Sequence, residues 1–396
     1  MGSRNADVVI IGGAAIGSSV AYHLAAARSG PMRILVIEAD PTYQTCASAR
    51  SAASIRQQFS SAINIEISLH GIDFLRRADE FLSVDDQGPL IELKEAGYLF
   101  LATPDKQSIL QTNHALQTKL GADTRLLDQS DLSKKYPWLT TQDIAFGCHG
   151  TTGEGWFDGY GLMQGFRRKA RSLGVGYVSA KAQTIRPEGN GWCIELSNGD
   201  VLSAGALINC AGASGGASLC RQVGLDLPIH TRKRCVFTFE CREPLPDFPM
   251  LIDTTGTYVR PEGPNGFLCG SAPAAGDDPD VATDDFDVNH TLFEEHIWPT
   301  LAERVPAFEA IRPGRAWAGH YDMNLFDYNA FIGAVPGLDN FYLALGFSGH
   351  GLQQSPAVGR GLAELVSTGG YQSMDLSSLG LQRYFDKQPL IERNVV

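Results

Sequence analysis

No two cysteines in this 396-residue chain are close enough to make a Cys-x-x-Cys motif; the eight stand at 46, 148, 193, 210, 220, 235, 241 and 269. That spacing excludes a zinc ribbon or a dithiol redox centre of the usual kind, and a reduced, cytoplasmic chain is the expectation. Basic residues are also scarce, 32 Lys and Arg against 44 Asp and Glu, for a net charge of -12. So acidic a chain has no electrostatic footprint for nucleic acid or anionic lipid. Nothing approaches the ~20 apolar residues of a membrane-spanning helix, so an integral membrane protein is not expected. The stretch from Arg4 to Ala27 could pass for a signal peptide, but Asp7 and the glycines after Ile11 suit a strand and turn better than an export helix. No segment is of low complexity, and no repeat recurs at a fixed period.

What is abundant is apolar residues, 43% of the chain, and glycine, 43 residues. This length and composition suit two domains with large cores. The most informative stretch comes first. Asp7 to Ile11 is a short apolar run that stops at Gly12-Gly13-Ala14-Ala15-Ile16-Gly17. Ile16, Val20, Leu24 and Ala27 then recur at helical spacing, and Ile34 to Ile37 forms a second apolar run closed by Glu38 and Ala39. The pattern predicts a βαβ unit with parallel strands.

Such a unit can hold the ADP half of a dinucleotide. Glycines let the backbone approach the pyrophosphate, open N–H groups at the helix start meet its charge, and a carboxylate at the end of the second strand accepts from the ribose hydroxyls. Glu38 stands at that place. The spacing is Gly12-x-Ala14-x-x-Gly17, so alanine replaces the glycine nearest the pyrophosphate, and its methyl should push the phosphate outward. An ordinary βαβ unit with small residues for close packing would share much of this pattern.

Further along, Thr45 to Phe59 is small, hydroxylated and carries Arg50 and Arg56, so it offers N–H groups, hydroxyls and positive charge. An amphipathic helix is predicted over 63–81. Strand-like runs at 95–102 and helical ones at 106–120 and 128–136 belong to a second domain. Helix 162–173, strands at 176–179 and 192–196, and the Asn198-Gly199 turn return to the first. Ala206 to Ala213 is an apolar strand that ends in small residues. Strands at 235–240, 257–260 and 267–269, with a helix over 289–305, continue the second domain. Near the end, the strand Phe341 to Leu345 enters Gly346-Phe347-Ser348-Gly349-His350-Gly351, and a helix follows from Leu352 to about Val366.

The second strand, glycine loop and helix start also presents N–H groups and a positive dipole end to something negative. One cradle for pyrophosphate and another for a ring that becomes anionic when reduced suit a flavin dinucleotide better than a nicotinamide one. The expected architecture is α/β: a Rossmann-type FAD-binding domain of residues 1–85, 147–226 and 314–396, with an α+β substrate domain of residues 86–146 and 227–313 built on a mixed or antiparallel sheet. Both are discontinuous.

With GGAAIG and Glu38, ASARSAASIRQQF, INCAGA at 208–213 and GFSGHGLQQSP at 346–356 assembled, the chain resembles the D-amino-acid oxidase superfamily of flavoproteins. That group contains sarcosine oxidase, glycine oxidase and dimethylglycine dehydrogenase. YVRPEGPNGFLCG and the stretch from WPTLAERVPAFE to AWAGHYDMN resemble most a mitochondrial branch of it that is linked to assembly of a respiratory complex.

The resemblance implies roles residue by residue. Gly12 to Gly17 and Glu38 would hold ADP, Ala182 would lie by the adenine, and Ala211 and Gly212 would pack on the cofactor. Arg50 and the run Ser51, Ala52, Ala53, Ser54 and Ile55 would line the flavin. Ser348, Gly349, His350, Gly351, Leu352 and Gln353 would donate N–H groups toward its N1/C2 edge. Arg56 matches the arginine that grips the substrate carboxylate in sarcosine oxidase, and Tyr258 and Tyr321 match aromatic residues of that pocket. Gly319 replaces the cysteine that attaches flavin in sarcosine oxidase, and Ser51 the histidine used by dimethylglycine dehydrogenase, so FAD is expected to be non-covalent. Gln353 replaces a carboxylate-binding lysine, and Leu268 stands near the place of a lysine that promotes reaction with oxygen.

The chemistry so implied is oxidation of an amine C–N bond, in an N-alkylated or D-amino acid, by hydride transfer to flavin N5. The imine formed is then hydrolysed. The partners implied are a small amino acid or amine and an electron acceptor, either oxygen or a redox carrier. Two alternatives remain: a flavoprotein with a protein-binding or assembly role, and 2-hydroxy acid oxidation on the same scaffold. Arg260, two residues after Tyr258 on a strand, shares its face and is a second candidate for anion binding. His320 is a candidate base, His350 reads as a structural residue bonded to backbone, and the basic run Arg232-Lys233-Arg234 reads as a solvated edge.

Overall fold

The computed structural model of the chain describes residues 4–273 and 276–394. Two eight-stranded sheets organise it. The first runs in the order Phe331–Ala334, Phe341–Leu345, Val201–Asn209, Arg4–Ile11, Ile34–Glu38, Gly176–Ser179, and the hairpin strands Gly191–Leu196 and Ala182–Glu188 extend from Val201–Asn209. Val8 sits opposite both Ile34 and Ala206 in parallel register. Val9, Ile10, Leu207 and Ile208 are fully buried there, as the continuous apolar runs require of a sheet covered on both faces. The predicted βαβ unit is present, with its helix at Ala15–Ala27.

That helix packs with Gly159–Ser172, Gly351–Thr368 and Ala62–Arg76 on one face of the sheet. The helix predicted over 63–81 breaks at Arg77 and resumes at Ala78–Leu82. Gly351–Thr368 contains Pro356, which cannot donate to the carbonyl of Leu352; Ser355 Oγ takes that carbonyl instead, at 2.8 Å.

The second sheet runs Ile311–Asn324, Ile229–Cys241, Gly266–Ser271, Thr257–Pro261, Met250–Ile252, Tyr98–Ala102, Phe146–Gly150, Thr124–Asp128. It is mixed: Met250–Ile252 pairs parallel to Tyr98–Ala102, and the other neighbours are antiparallel. The sequence boundaries at 147 and 314 fall inside strands of this sheet, Phe146–Gly150 and Ile311–Asn324, so by hydrogen bonding the chain leaves it later on both occasions. Pairing of this 14-residue strand with Ile229–Cys241, through one register shift between Phe237 and Phe239, overrides the change in residue pattern near Gly314.

One face of this sheet is covered by Phe293, Ile297, Leu301 and Phe308. The single helix predicted over 289–305 is instead a turn at His290–Leu292, a π-helical stretch at Phe293–Ile297 and an α-helix at Trp298–Arg304. Pro299 accounts for the break, because it removes one N–H from the ladder. Arg304 ties this cover to its surroundings through Asp253 at 2.6 Å and Asp143 at 2.7 Å. The other face carries Tyr98, Tyr258 and Leu268, and Trp156 of the short pair Ser54–Ile55 with Gly155–Trp156 packs against them.

Candidate functional site

The two glycine turns meet. Gly12 to Ile16 near the start, apart from Gly13, and Gly349, Gly351 and Leu352 near the end line one cleft, with about 1480 Å³ of free space including its open mouth. Gly17 stands where the helix presses on the turn, and a Cβ there would lie 1.8 Å from the Gly12 carbonyl oxygen. Ala14 holds the N-cap position at φ -72° with no side-chain cap of its own; Ala15 N donates to Ser48 Oγ at 3.3 Å, and the N–H groups of Ile16 and Gly17 are left for a ligand. Its methyl adds to the wall without backbone strain.

Glu38 faces the same cleft. Its carboxylate accepts from Gly13 N at 2.7 Å and Asp40 N at 2.8 Å, one bond to each oxygen, and each oxygen keeps a lone pair for a diol. Burial lifts its carboxyl above the ordinary value. Gly13 therefore orients Glu38 and does not line the cleft itself. Ala39, Ala182, Ala211 and Gly212 all line it, as the sequence implies.

The second turn is built from left-handed residues, Gly346 at φ +79°, Ser348 at +51° and Gly349 at +89°. A Cβ on Gly349 would sit 2.5 Å from the Tyr321 ring. The turn is tied to the edge strand of the second sheet. Asp322 Oδ2 accepts from Gly346 N at 2.7 Å, Ser348 N donates to the Asp322 carbonyl at 3.1 Å, and Asn324 N donates to Ser348 Oγ at 3.0 Å. Asp322 lines the cleft, and burial pushes its carboxyl up to about 6.

The loop expected to line the flavin does so only in part. Ser51 borders the cleft, as do Thr45 to Ser48 at the start of the same hydroxylated stretch, to which the resemblance gave no individual roles. Arg50 is turned away: it donates to the carbonyls of Gln44 and Ala318 and lies 4.4 Å over Phe286. Ala52 gives its carbonyl to Arg260, Ala53 accepts from Phe157 N, Ser54 Oγ is bonded by Tyr98 at 2.8 Å, and Ile55 is core. Gly319 packs on Arg50 and does not reach the cleft. These residues hold the loop in shape: the Ala52 carbonyl is spent on the second domain, and Ala53 to Ile55 are bonded to the strand Gly155–Trp156 and to Phe157.

Arg260 is a correction of the same kind. Its guanidinium donates to Ala52 O through Nε at 3.2 Å and Nη2 at 3.0 Å, to Pro261 O at 2.9 Å, and to Glu262. It is a strut between sheet and flavin loop, with no donor edge left for a substrate anion.

Tyr258 and Tyr321 do come together with Tyr98 and Arg56. The three rings lie close enough to perturb one another's ionisation, and burial raises every phenol, Tyr258 well above its ordinary value. Neither Tyr258 nor Tyr321 makes a side-chain hydrogen bond among the described residues. Gln353 Oε1 accepts from Arg56 N at 3.0 Å, and its Nε2 makes no bond among those residues.

Arg56 is 3% exposed and bonded through both terminal nitrogens. Nη1 donates to the Gln58 carbonyl; Nη2 donates to the Asn394 carbonyl and faces His350 Nε2 at 3.2 Å. Phe59 lies 4.0 Å beneath the guanidinium. His350 therefore bonds a side chain and not backbone. A guanidinium can only donate, so Nε2 accepts and the ring hydrogen belongs on Nδ1, a buried atom with no partner among the described residues. Burial and the adjacent Arg56 hold this histidine neutral, down to about 3. His320 Nε2 bonds the Asp285 carbonyl at 2.6 Å and its ring stacks on Phe286, so it is held as wall and not as a base.

The basic run is no solvated edge. Lys233 pairs with Asp285 at 2.7 Å, Arg234 with Asp278 at 2.8 Å and Arg232 with Asp280 at 3.3 Å. These pairs fasten an acidic loop whose Thr283 and Phe286 close one side of the cleft. The signal was in the sequence, as four acids between 278 and 285 complementary to three bases. Glu154, fully buried beside Arg56, and the segment Glu392–Asn394 gave no such signal, because only the fold brings them there.

The cradles, the open helix starts and Glu38 are a donor and acceptor set that fits an FAD. The comparisons agree. Residues 7–365 match the family described as FAD dependent oxidoreductase. FAD-dependent oxidoreductase domain-containing protein 1 of Xenopus laevis is 39% identical, over 99% of this chain and 85% of that one. Mitochondrial dimethylglycine dehydrogenase of Rattus norvegicus is 26% identical, over 96% of this chain and 45% of its own length. Among solved structures, L-proline dehydrogenase from P. horikoshii superposes with a TM-score of 0.84 at 23% identity, covering 98% of this chain and 100% of the other. Glycine oxidase from Geobacillus kaustophilus gives 0.82 at 22% identity, covering 96% and 99%.

Proposed function

The chain belongs to the FAD dependent oxidoreductase family, and on that premise we propose that it oxidises the C–N bond of a small amine, an N-alkylated or D-amino acid included, with non-covalent FAD. Bound FAD would supply the hydride acceptor, taking the hydride from the carbon that bears the nitrogen while the nitrogen lone pair forms C=N; water then hydrolyses the imine. Everything else falls to the chain. The helix starts at Ala15 and Gly351 favour the negative charge of pyrophosphate and of a reduced ring. Tyr258 and Tyr321 wall the pocket and exclude water, and the open Nε2 of Gln353 offers a hydrogen bond that orients the substrate. An amine that arrives neutral needs no general base.

The observation that carries this reading is the pair of phenols near Arg56, the buried Tyr258 and the half-buried Tyr321, whose hydroxyls make no hydrogen bond among the described residues, with Tyr321 set against the second glycine turn. Leu268 supports a redox carrier over oxygen as electron acceptor. It is 3% exposed among Tyr98, Trp156, Met250 and Tyr258, and its cross-strand neighbour Arg260 is spent on Ala52, Pro261 and Glu262, so the position itself offers no free cation to stabilise developing superoxide.

Anaerobic mixing of the yellow protein with N-alkylated amines, D-amino acids and 2-hydroxy acids tests the proposal. Bleaching by an amine class supports it. Bleaching by hydroxy acids alone, or by nothing in the panel, overturns it. Reoxidation should be slower with oxygen than with an artificial dye.

A further inference from the structure

Arg56 is the buried cation of the proposed pocket, yet its geometry denies it the usual way of holding a carboxylate. A guanidinium has two edges that offer parallel hydrogens, Nε with Nη2 and Nη1 with Nη2. Both need a hydrogen of Nη2. In this protein one Nη2 hydrogen goes to the main-chain carbonyl of Asn394 and the other to His350 Nε2. What remains among the described residues is Nε and one hydrogen of Nη1, on opposite sides of the group, each able to make a single contact.

The Asn394 carbonyl is not there by accident of a loose segment. Glu392 is 1% exposed, and its carboxylate accepts from Ser60 N at 2.8 Å and Oγ at 2.7 Å, Ser61 N at 3.2 Å and Oγ at 2.7 Å, and Asn64 Nδ2 at 3.0 Å. Arg393 N donates to Ser60 Oγ at 2.8 Å. Asn394 Nδ2 donates to the Gln58 carbonyl at 3.1 Å, and Asn113 Nδ2 donates to Asn394 Oδ1 at 3.2 Å. The anchor sits at the start of the Ala62–Arg76 helix, so the segment is fastened to the same loop that carries Arg56.

We propose that Glu392–Asn394 is an internal ligand of Arg56 and the specificity determinant of the site: the Asn394 carbonyl takes the place of a substrate carboxylate oxygen. The pocket as folded therefore selects amines that carry no α-carboxylate over their amino-acid counterparts. Glu392 acts as a positioning residue, through Asn394. The inference rests on Arg56 being the anion-binding residue of the proposed pocket.

The test uses full-length, FAD-loaded protein, with benzoate as the carboxylate probe and benzylamine as the probe without one, each titrated by the change in the flavin absorption spectrum. Glu392→Ala frees the anchor. The double variant Asn113→Ala with Asn394→Ala loosens the segment while leaving the anchor intact, and carries the test should Glu392→Ala not fold. The expected result is a benzoate Kd at least tenfold lower than in the parent, benzylamine within twofold, and loss of the gain when Arg56→Ala is added. Structural damage would weaken both probes. An unchanged or higher benzoate Kd in the folded variants overturns the proposal. If Arg56→Ala weakens benzoate in the parent but loosening the segment does not tighten it, only the internal-ligand proposal fails. If Arg56→Ala changes neither probe in any background, the pocket assignment fails with it.

Discussion

Replacing Glu154 with glutamine should remove a pH dependence of stability whose sign and size follow from its surroundings. Glu154 is fully buried and accepts from Gln57 N at 2.6 Å and Gln58 Nε2 at 2.7 Å. Burial dominates, outweighing those bonds and the Arg56 charge, and lifts its carboxyl from 4.5 to about 7. An acid whose folded pKa exceeds its unfolded one binds more protons folded than unfolded between the two values, so stability falls as pH rises from about 4.5 to about 7. At ~1.4 kcal/mol for each pH unit, the loss across that window is ~3 kcal/mol.

Other groups slope the opposite way. Burial lowers His23 to about 3 and His149 to about 4, and a histidine with a lowered pKa adds stability as pH rises toward 6.5. The quantity to measure is therefore the difference between parent and Glu154→Gln, from denaturant unfolding of the FAD-loaded proteins at intervals from pH 4.5 to 7.5. The parent's advantage should shrink by ~3 kcal/mol over that range. A difference that stays flat, or grows with pH, refutes the claim that a buried, protonatable carboxyl sits beside Arg56.

Gly349→Ala imposes a side chain at φ +89° and drives its Cβ against Tyr321, and strain of that kind costs ~1–3 kcal/mol. If the free loop relaxes and must be pushed back to bind, FAD affinity falls by roughly 5- to 100-fold, read by quenching of flavin fluorescence. Glu38→Gln turns one of the two acceptor oxygens into an amide donor, so either Gly13 N or Asp40 N loses its acceptor, at a cost of ~1–3 kcal/mol, and the charge facing the ribose is lost. FAD binding should weaken by about tenfold or more in the same titration. Arg304→Met leaves Asp253 buried without its cation, so unfolding free energy should drop by ~3–5 kcal/mol. Arg304 does not line the cleft, so the flavin spectrum should stay as in the parent.

The local pattern of the chain determined the two nucleotide-type cradles. An apolar run, a glycine turn and small residues at helical spacing can fold in few other ways, and the pattern lies within about thirty residues at each end. Glu38, Ala211 and Gly212 follow from their place at the ends of strands, and Ala182 from the resemblance. The resemblance could also place Tyr258, Tyr321 and Gln353 near the second turn. What it could not give was the state of each polar group, because a donor's use depends on partners hundreds of residues away. Arg260 was offered to an anion by its face on a strand, but the carbonyl of Ala52 takes it. The basic run at 232–234 became a clamp only once the acidic loop folded back across it. Arg56 was legible, through the resemblance, as an anion-binding cation. That its two paired edges are already occupied was decided by the tertiary structure alone, which brings His350 and Asn394 onto one nitrogen from nearly 300 or more positions away.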